Sequence, residues 1–540
     1  MRVAGWLVLL ALAGSVPAQD GASLLIIACD EYVPAVKPLA DWHHAAGMPT
    51  RLVPTSVTGT TLEAIGAYID SAFYHWMPRP AYVLLVGHPS VLPAARYGQS
   101  WVYYSDNDYG DVEGDVRAEI AVGRFPVRSA AQCDVMVAKA LAYQRTPELS
   151  DTLWMRRFMG VISEDMDPND SIYWNDIRTA AMLARGVGFV ACESLSTLRG
   201  DDSADVNASV DAGTGLVLFR GSAVGNWYWP FVMHPERLAN GNRLPVVLSV
   251  TCATMTLDPY DSMVGSAWVL AGTGSALKGA VAFFGNTHSD MYVARQRSAV
   301  ARGFVTGLFA EGRYRLGDAM LRAKAQLLQL FPSATDDYRG FSIFGDPALP
   351  VWTATPKLLS VSHPDSIPLG PAIVEVIVLS GGTPVTGAFV CASMDSAVYV
   401  VDTTDAEGRA RLDLVTPDTG TMRLVVTGRN LNPCEGTVTV FLGSGSQEPA
   451  VPTAGRAPAL TAAPSTFRDA TVVTIACAPD RARVLVCDAG GRVVRELPAL
   501  AGAATWDGRD RAGVRVRSGT YFLLLTGDRV LARARVTRLD

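Results

Sequence analysis

The chain has 540 residues, of which 49% are hydrophobic and 18% charged, and its formal net charge is -6. This composition is that of a globular protein and excludes a disordered or strongly charged chain. The length exceeds what one hydrophobic core supports, which predicts roughly three or four domains. The sequence has no basic stripe with interleaved aromatics, so nucleic acid is not expected as a partner.

The first residues have the pattern of an export signal. Arg2 gives a positive start, an apolar run follows over residues 3–13, and small residues precede the polar Gln19. We predict a signal peptide over residues 1–18 and a mature protein that is secreted or attached to the cell surface; a buried first helix is the alternative. No later segment is apolar and long enough to span a bilayer, so no transmembrane segment is expected.

Strand-like apolar runs then alternate with amphipathic helical patterns. The runs SLLIIACD (23–30) and AYVLLVGH (81–88) are continuous, as in parallel strands that are buried on both faces. Helical patterns around residues 36–46 and 61–76 separate these strands. The alternation predicts an N-terminal α/β subdomain with a parallel sheet over residues 20–150.

A second cycle of the same kind fills residues 151–352. Its strand-like segments are RRFMGVIS, GLVLFRGS (215–222), LPVVLSVTC (244–252) and KGAVAFFGNT (278–287), and FSIFGDPALPVW closes the region. Helical patterns separate and follow them. We therefore predict a second α/β subdomain with its own parallel sheet.

From Thr353 the sequence pattern changes, because apolar and polar residues alternate in short runs that are separated by Gly, Pro and Asp. This pattern predicts an antiparallel β-sandwich over residues 353–442. A linker rich in Gly, Ser, Pro and Ala follows at 443–465, and a short all-β domain occupies 466–540. In an exported protein two cysteine pairs are able to bridge strands within these domains, and the sequence leaves the pairing open. The pairs are Cys391 with Cys434 and Cys477 with Cys487.

Two apolar strands of the second α/β region end at residues able to carry chemistry, namely Gly221-Ser222 and Thr251-Cys252. Open parallel sheets place their sites at the carboxyl edge of the strands. A free cysteine more often only packs in the core, so the context of Cys252 decides its role.

That context resembles the gingipain family of cysteine peptidases, which have a caspase-like fold. The matching segments run in family order over about 330 residues: LIIACDEY, AYVLLVGH, AVGRFPV, VLFRGSAVGNW, LPVVLSVTCATM, KGAVAFFGNT, RSAVARGF and FSIFGDPAL. The resemblance implies that Cys252 is the nucleophile that attacks the peptide carbonyl. The position of the family's histidine corresponds to Ser222, a departure that removes the usual base.

Another histidine is therefore needed as the base. His288 is the first candidate because it follows the strand after the one that carries Cys252; a loop histidine that only packs is the alternative. His234 is the second candidate. Peptide N–H groups at the start of a helix after Cys252, together with the Gly221 turn, are the predicted oxyanion donors.

The segment after Gly221 contains the predicted substrate-binding residues. Trp227 and Trp229 are expected to form a wall of a substrate groove, with Ser222 and Asn226 beside it. Core aromatics that cap the sheet are the alternative reading of the tryptophans, and Asn226 is equally able to shape the turn.

An acidic loop, SDNDYGDVEGD, follows the first α/β strands. Close oxygen ligands of this kind suit Ca²⁺, and the family resemblance implies bound calcium, although the spacing is not that of an EF-hand. A solvated loop is the alternative, and no cofactor is required for the chemistry. The candidate ligands are Asp106, Asp108, Asp111, Glu113 and Asp115.

The two β-domains carry resemblances of their own. Residues 356–442 resemble the immunoglobulin-like domain that follows the gingipain catalytic region. The segments TWDGRD and SGTYF in the last domain resemble C-terminal sorting domains of type IX secretion, which implies the bacterial secretion machinery as a partner. Flagellar hook-cap β-domains share these signatures.

Three functions fit these observations. The first is a secreted or surface-attached cysteine endopeptidase that forms a thioester acyl-enzyme on Cys252. The second is a pseudopeptidase that binds peptides or has a structural role, because Ser222 stands where the family has histidine. The third is an adhesin that acts through its β-domains. An imidazole within hydrogen-bond reach of the Cys252 sulfur would favour the first.

Overall fold

The computed structural model describes residues 19–99, 101–291, 293–394, 397–442, 459–476, 483–488, 492–497, 503–526 and 530–539. The predicted signal peptide lies outside these residues, as does most of the predicted linker. The chain forms two compact units, residues 1–443 and 444–540. In the described ranges, no helix is both long and apolar enough to cross a bilayer.

The first unit is built on one central sheet, which has ten strands within the described residues. Its strand order is β6-β5-β7-β8-β9-β10-β4-β3-β1-β2. All neighbouring strands are parallel except β9 and β10. The strands are β1 (Leu24–Ala28), β2 (Thr50–Pro54), β3 (Tyr82–Val86), β4 (Ala121–Phe125), β5 (Arg157–Ser163), β6 (Ala191–Ser196), β7 (Leu216–Gly221), β8 (Val246–Ser249), β9 (Ala282–Asn286) and β10 (Phe341–Phe344).

The predicted parallel α/β architecture is confirmed, and the two predicted subdomains share this sheet. β10 pairs antiparallel with β9 and parallel with β4, so it joins the two halves. The central strands are buried along their whole length, as expected where both faces are covered. The join was not predicted, because a strand's local pattern does not show its hydrogen-bond partners.

Helices connect the strands, and local capping fixes several of their starts. The Thr61 side chain accepts from the backbone N–H of Ala64, and Ser129 accepts from Gln132 in the same way. The helices are α1 (Val33–Ala45), α2 (Thr55–Thr58), α3 (Leu62–His75), α4 (Ala130–Gln144), α5 (Asp170–Gly186), α6 (Ser203–Asp211), α7 (Val264–Leu270), α8 (Ala294–Phe309), α9 (Leu316–Leu330) and α10 (Thr335–Gly340).

The antiparallel direction of β10 determines which loops lie at the same edge of the sheet. Since β9 and β10 are antiparallel, the carboxyl ends of β7, β8 and β9 lie at the same sheet edge as the amino ends of β10 and β4. The loop that leads into β4 and the helix α10 that leads into β10 therefore reach this edge. Segments from both halves of the sequence surround it.

The predicted β-sandwich is present after the α/β region. One sheet has the order β11-β13-β14 with β17 on β13, and the other has the order β12-β19-β18-β15-β16. Side chains alternate between buried and exposed along β17, as in a sheet with one face in the core. The strands are β11 (Ser360–Ser362), β12 (Ser366–Pro368), β13 (Gly370–Ser380), β14 (Thr383–Pro384), β15 (Phe389–Met394), β16 (Val398–Thr403), β17 (Arg409–Thr416), β18 (Gly420–Thr427) and β19 (Cys434–Phe441).

The bridge between Cys391 and Cys434, a pairing that the sequence left open, is not formed. Both cysteines are free thiols. Cys391 lies on β15 and Cys434 on β19, and β18 runs between these strands, with Val425 opposite Cys391 and Val426 opposite Cys434. Neighbouring residues on a strand point to opposite faces, so the two sulfurs are held apart. Cys477, the proposed partner of Cys487, lies outside the described residues.

The sandwich packs directly on helix α1. Trp42 and Ala45 form a small buried cluster with Val425. Beside it, Arg145 forms an ion pair with Glu435 at 2.6 Å. These contacts explain why the α/β region and the sandwich form one compact unit.

The second unit contains two smaller sheets, β20-β22-β25 and β21-β27-β26-β23-β24. Trp506 and Tyr521, from the two sequence segments singled out above, are buried with ring centroids 5.0 Å apart. Their side chains are core residues of this domain. The strands are β20 (Ala459–Ala463), β21 (Thr466–Phe467), β22 (Thr471–Ala476), β23 (Arg483–Cys487), β24 (Val493–Leu497), β25 (Ala503–Trp506), β26 (Gly519–Thr526) and β27 (Val530–Arg538).

Candidate active site

A cleft of about 470 Å³ opens at the carboxyl edge of β8 and β9. Cys252 follows β8 and His288 follows β9, so the neighbouring strands place both residues at this edge. The loop before β4 contributes two aromatic side chains to the opposite wall. The cleft is lined by Trp101, Tyr103, Val224, Cys252, His288 and Met291, among others.

The Cys252 sulfur is in contact with an arginine. Nη1 of Arg297, in the first turn of α8, lies 2.8 Å from Sγ. The carbonyl oxygen of Asp290 is farther away, at 3.6 Å from the sulfur. Among the described residues, no imidazole forms a hydrogen bond with this sulfur. The sequence-based criterion for an ordinary cysteine–histidine pair is therefore not met.

Asp337, in α10, connects the arginine to His288. Its Oδ1 accepts from Arg297 Nη2 at 3.2 Å and lies 3.2 Å from His288 Nδ1. The same oxygen accepts from Asn286 Nδ2 at 2.9 Å, and the Asn286 side chain in turn accepts from the His288 backbone N–H. Cys252, Arg297, Asp337 and His288 thus form one continuous polar chain.

Asp337 and Arg297 each shift the pKa of the other in the direction that keeps it charged. Burial acts to raise the pKa of Asp337, but the hydrogen bond from His288 and the charge of Arg297 hold that pKa below its usual value. Burial likewise acts to lower the pKa of Arg297, and the charge of Asp337 together with the contact to Cys252 holds it above its usual value. Asp337 is therefore ionised and Arg297 is charged at neutral pH.

The structure places His288 in the Cys252 cleft and leaves His234 outside it. The His288 ring packs against Tyr103 with centroids 4.8 Å apart, and the Tyr103 hydroxyl donates to Asp336 at 2.7 Å. His234 is exposed and pairs with Glu236 at 3.3 Å. Of the two candidate bases, only His288 has the position that the prediction needs.

Gly221 and Ser222 are not among the described residues that line the cleft. Gly221 has a φ of 150°, and a Cβ atom at this position would lie 2.6 Å from the carbonyl oxygen of Ser163, so glycine is required by the turn. Its carbonyl accepts from Thr251 Oγ1 at 2.6 Å. The Ser222 hydroxyl lies 3.4 Å from Asp165 Oδ2. The arrangement gives Gly221 a structural role, and its predicted oxyanion role stays a prediction.

The predicted oxyanion donors after Cys252 are engaged elsewhere. No helix begins there, since the next one, α7, starts at Val264. The backbone N–H of Ala253 donates to Ser289 Oγ at 3.2 Å, and that of Thr254 donates to the carbonyl of Asn286 at 3.2 Å. The predicted helix start is thus wrong, because hydrogen bonds hold this segment against the end of β9 and the loop that follows it.

The predicted substrate wall needs correction at Trp227. This side chain is 0% exposed, stacks on Phe219 at 4.5 Å and donates from Nε1 to Ser249. It is a core residue and is inaccessible to substrate. Trp229 is 83% exposed, although it is not among the residues that line the cleft.

Asn226 has a role in the loop that contains these tryptophans. Its Oδ1 accepts from the backbone N–H groups of Trp227 and Met233, and its Nδ2 donates to the carbonyl of Met233. These bonds use both ends of the amide. The alternative that Asn226 shapes the turn fits this geometry, and its predicted substrate contact stays a prediction.

The carboxylates of the acidic loop point to different partners. Both oxygens of Asp106 accept from buried Arg124, and Asp108 accepts from the Tyr97 hydroxyl at 2.7 Å. Asp111 and Asp115 accept from backbone N–H groups of their own loop, whereas Glu113 is exposed. The five side chains do not converge as one ligand set. Their arrangement does not fit calcium, and its binding stays a prediction.

A different acidic group lies near Ser222. In the part of the chain that the structure describes, the group whose ligand atoms lie within 4.8 Å of one another consists of Asp165, Asp167 and Asp170. Asp167 and Asp170 cap backbone N–H groups of their own turn, those of Asn169 and Met166, and Asp165 accepts from the Ser222 hydroxyl. The capping explains why these carboxylates lie close together.

Arg297 and Asp337 were not identified from the sequence. Arg297 is the first residue of the matched segment RSAVARGF and Arg295 lies two positions before it, but residue type alone does not distinguish the two arginines. The structure does, because Arg297 is 4% exposed whereas Arg295 faces solvent. The position of Arg297 in that segment was the signal in the sequence.

Comparison with known proteins identifies the family. The model of peptidase family C25 matches residues 18–352. Gingipain R1 of Porphyromonas gingivalis is 22% identical over 381 residues, which cover 66% of this chain and 37% of that protein. Gingipain R2 of the same species is 21% identical, over 66% of this chain and 50% of that protein. This chain thus spans half or less of the length of these relatives.

Solved structures show the same fold. The crystal structure of the Arg specific cysteine proteinase gingipain R (RGPB) superposes with a TM-score of 0.70 at 20% identity, covering 79% of this chain and 100% of that one. The complex of Porphyromonas gingivalis RgpB pro- and mature domains gives 0.69 at 19% identity, covering 77% of this chain and 100% of that one. With the family match over most of the α/β region, the chain belongs to peptidase family C25, the gingipain-type cysteine peptidases.

Proposed function

We propose that this protein is an exported cysteine endopeptidase in which Cys252 is the nucleophile and His288 carries the proton. One observation carries the proposal: a reactive sulfur and an imidazole paired with a buried carboxylate line the same cleft. The proposal deepens the family assignment, which by itself implies only a cysteine peptidase that acts on proteins.

The His288–Asp337 pair supports the role of the imidazole. Asp337 accepts from Nδ1–H, which leaves the lone pair of Nε2 for proton transfer. A buried carboxylate at Nδ1 has the same effect in serine peptidases, where it fixes the tautomer and stabilises the imidazolium. Ser222 has no comparable chemistry, and its hydroxyl is directed to Asp165.

The proposed reaction has two steps. The thiol of Cys252 gives its proton to His288, the sulfur attacks the carbonyl carbon, and the C–N bond breaks as His288 returns that proton to the leaving amine. A water molecule then gives a proton to His288 and attacks the thioester, which releases the acid and regenerates the thiol. The products are an amine and a carboxylic acid, and no oxidant or metal takes part.

The walls of the cleft are suited to a peptide. Trp101 is 71% exposed and Met291 69% exposed, and both line the cleft beside Cys252. Exposed apolar side chains of this size contribute to binding when a ligand covers them. We expect them to contact substrate side chains on either side of the scissile bond.

The test is labelling of the purified protein with a peptide-based thiol-reactive probe, combined with a peptide cleavage assay. Wild type, Cys252→Ala, His288→Ala and His234→Ala are compared. Labelling and cleavage that both need Cys252, with cleavage that falls about 10²–10⁴-fold in His288→Ala and is unchanged in His234→Ala, support the proposal. His234 is the matched control because it is a surface histidine outside the cleft.

A second candidate is a pseudopeptidase that binds peptides without cleaving them. Two observations favour it: Ser222 stands at the family's histidine position, and the sulfur contacts arginine rather than imidazole. Wild-type protein that labels no faster than an ordinary exposed thiol, and cleaves no peptide, would establish this candidate and reject the endopeptidase.

Export and sorting are further parts of the proposal. Support for export comes from the pattern of residues 1–18, and support for recognition by a bacterial secretion machinery comes from the signatures around Trp506 and Tyr521. Fractionation of cells that express the full chain or a chain truncated after Gly443 tests both. Retention of the truncated chain inside the cell, with release of the full chain, is the expected result.

A further inference from the structure

We propose that Arg297 is a catalytic residue that holds Cys252 as a thiolate, so that nucleophile activation and proton delivery belong to two different side chains. The inference rests on the proposed function and deepens it. Its first support is geometric: the guanidinium Nη1 is 2.8 Å from Sγ, and Arg297 is 4% exposed. The guanidinium is therefore in direct contact with the sulfur.

The second support is the balance of buried charge. A guanidinium cannot be deprotonated in a protein, so a buried arginine needs anionic partners. Asp337 Oδ1 is one partner, but this oxygen also accepts from His288 and Asn286. Among the described residues, the Nη1 atom of the guanidinium contacts only the Cys252 sulfur. A thiol is a weak acceptor, whereas a thiolate completes the pair.

The third support is the order of the four groups. With the thiol proton on His288, the charges alternate along the chain as Cys252 thiolate, Arg297 cation, Asp337 anion and His288 cation. Each neighbour carries the opposite sign and the sum is zero. The arrangement therefore stabilises the ionised state without a hydrogen bond between the imidazole and the sulfur.

This arrangement changes what the histidine must do. In the attack step the sulfur is already ionised, and His288 already holds the proton that the leaving amine will take. The balance of atoms is that of the proposed reaction, with the proton transfer completed before the substrate binds. Arg297 keeps its proton throughout and acts only through its charge.

The alternative role of Arg297 is a structural tie between α8 and α10 through Asp337. The two roles differ in their readouts. Loss of a tie lowers the stability of the fold and leaves the ionisation of the sulfur unchanged. Loss of a counter-ion lowers the fraction of thiolate at neutral pH, whether or not stability changes.

The experiment measures the thiolate of the intact protein directly. Absorbance at 240 nm is recorded against pH, together with the rate of alkylation of Cys252 by iodoacetamide, and the Cys252→Ala signal is subtracted to remove the other cysteines. Wild type is compared with Arg297→Gln, Arg297→Lys and the matched control Arg295→Gln, an exposed arginine on the same helix. Circular dichroism and unfolding midpoints report folding.

We expect Arg297→Gln to slow alkylation at pH 7 by about ten-fold or more and to move the thiolate absorbance to higher pH. Arg297→Lys keeps a positive charge but not the two-armed geometry, so an intermediate rate is expected. If Arg297→Gln does not fold, Arg297→Lys alone decides. Wild-type rates in a folded Arg297 variant would overturn the inference, as would an equal loss in Arg295→Gln.

The cleavage assay separates this inference from the proposed function. A thiolate that depends on Arg297 in a protein that cleaves no peptide keeps the inference and rejects the peptidase. Cleavage that needs Cys252 and His288, with a thiolate independent of Arg297, keeps the peptidase and rejects the inference.

Discussion

The Nδ1 atom of His288 lies 3.2 Å from Oδ1 of Asp337, and both residues are buried behind the Cys252 cleft. A carboxylate at this position orients the imidazole ring and fixes its tautomer. The orientation of the proposed proton carrier, His288, therefore depends on a carboxylate 49 positions away in the chain.

The first prediction is that Asp337→Asn lowers kcat for peptide cleavage by about 10²–10⁴-fold with a smaller effect on KM. The amide cannot stabilise an imidazolium, although it fits the same space. Steady-state kinetics on a peptide substrate measure the change. Asp318→Asn is the control, because Asp318 accepts from the Tyr82 hydroxyl away from the cleft. A wild-type kcat in Asp337→Asn would show that His288 does not act through this carboxylate.

The second prediction contrasts two tryptophans of one loop. Trp227→Ala removes a side chain that stacks on Phe219 in the core, so the free energy of unfolding of the first unit falls by about 3–5 kcal/mol. Trp229→Ala removes an exposed side chain and changes it by about 0.5 kcal/mol or less. Urea denaturation followed by circular dichroism measures both. Equal losses in the two variants would contradict the burial of Trp227.

The third prediction concerns the buried pair of His43 and Asp346, whose side chains lie 2.7 Å apart. His43→Ala leaves the Asp346 carboxylate buried without its His43 partner, and we expect a loss of about 3–5 kcal/mol in the free energy of unfolding. Lys37→Ala on the same helix breaks the exposed pair with Asp41 and is expected to cost at most about 1 kcal/mol. Thermal and urea unfolding measure the difference, and a cost in His43→Ala as small as that of the control would refute it.

The fourth prediction is a rise in stability with pH caused by Lys139. Burial lowers the pKa of this lysine to about 7, while its Nζ donates to backbone carbonyls of α7. The unfolded chain keeps the proton up to the ordinary lysine pKa of about 10.4, so it binds more protons than the native state in between. Stability therefore rises as pH increases from about 7 to about 10, and falls in the reverse direction.

Unfolding midpoints in urea at pH 6, 7, 8 and 9 test this dependence. Lys139→Met should reduce the slope of stability against pH, while Lys37→Met, which changes an exposed lysine, should leave it unchanged. Lys324, also buried with a pKa lowered to about 7, contributes with the same sign, so the slope in Lys139→Met is reduced and not abolished. An unchanged slope in Lys139→Met would contradict the assignment.

The sequence was sufficient for features that depend on local pattern. Continuous apolar runs identified the buried strands, and period-two runs identified the sandwich, since burial on one or two faces is written in consecutive residues. The ordered family segments placed Cys252 at a strand end. His288 followed from the same logic, because adjacent parallel strands deliver their carboxyl ends to one edge.

The local sequence does not show which individual side chains are buried. Trp227 and Trp229 are two positions apart in one loop, yet the first is in the core and the second faces solvent. The acidic loop shows the same limit: its carboxylates are close in sequence, but Arg124, Tyr97 and backbone N–H groups draw them in different directions. Competing partners from elsewhere in the fold decide such contacts.

The sequence by itself determined the fold class and the family resemblance, and it supplied Cys252 and His288 as the two residues proposed to carry the chemistry. Only the tertiary structure decided what surrounds the sulfur, because Arg297 reaches Cys252 from α8 and Asp337 reaches Arg297 from α10. Their meeting depends on β10 running antiparallel to β9, which turns α10 toward the edge where β8 ends. Strand direction is set by packing of the whole sheet, and no local pattern of side chains encodes it.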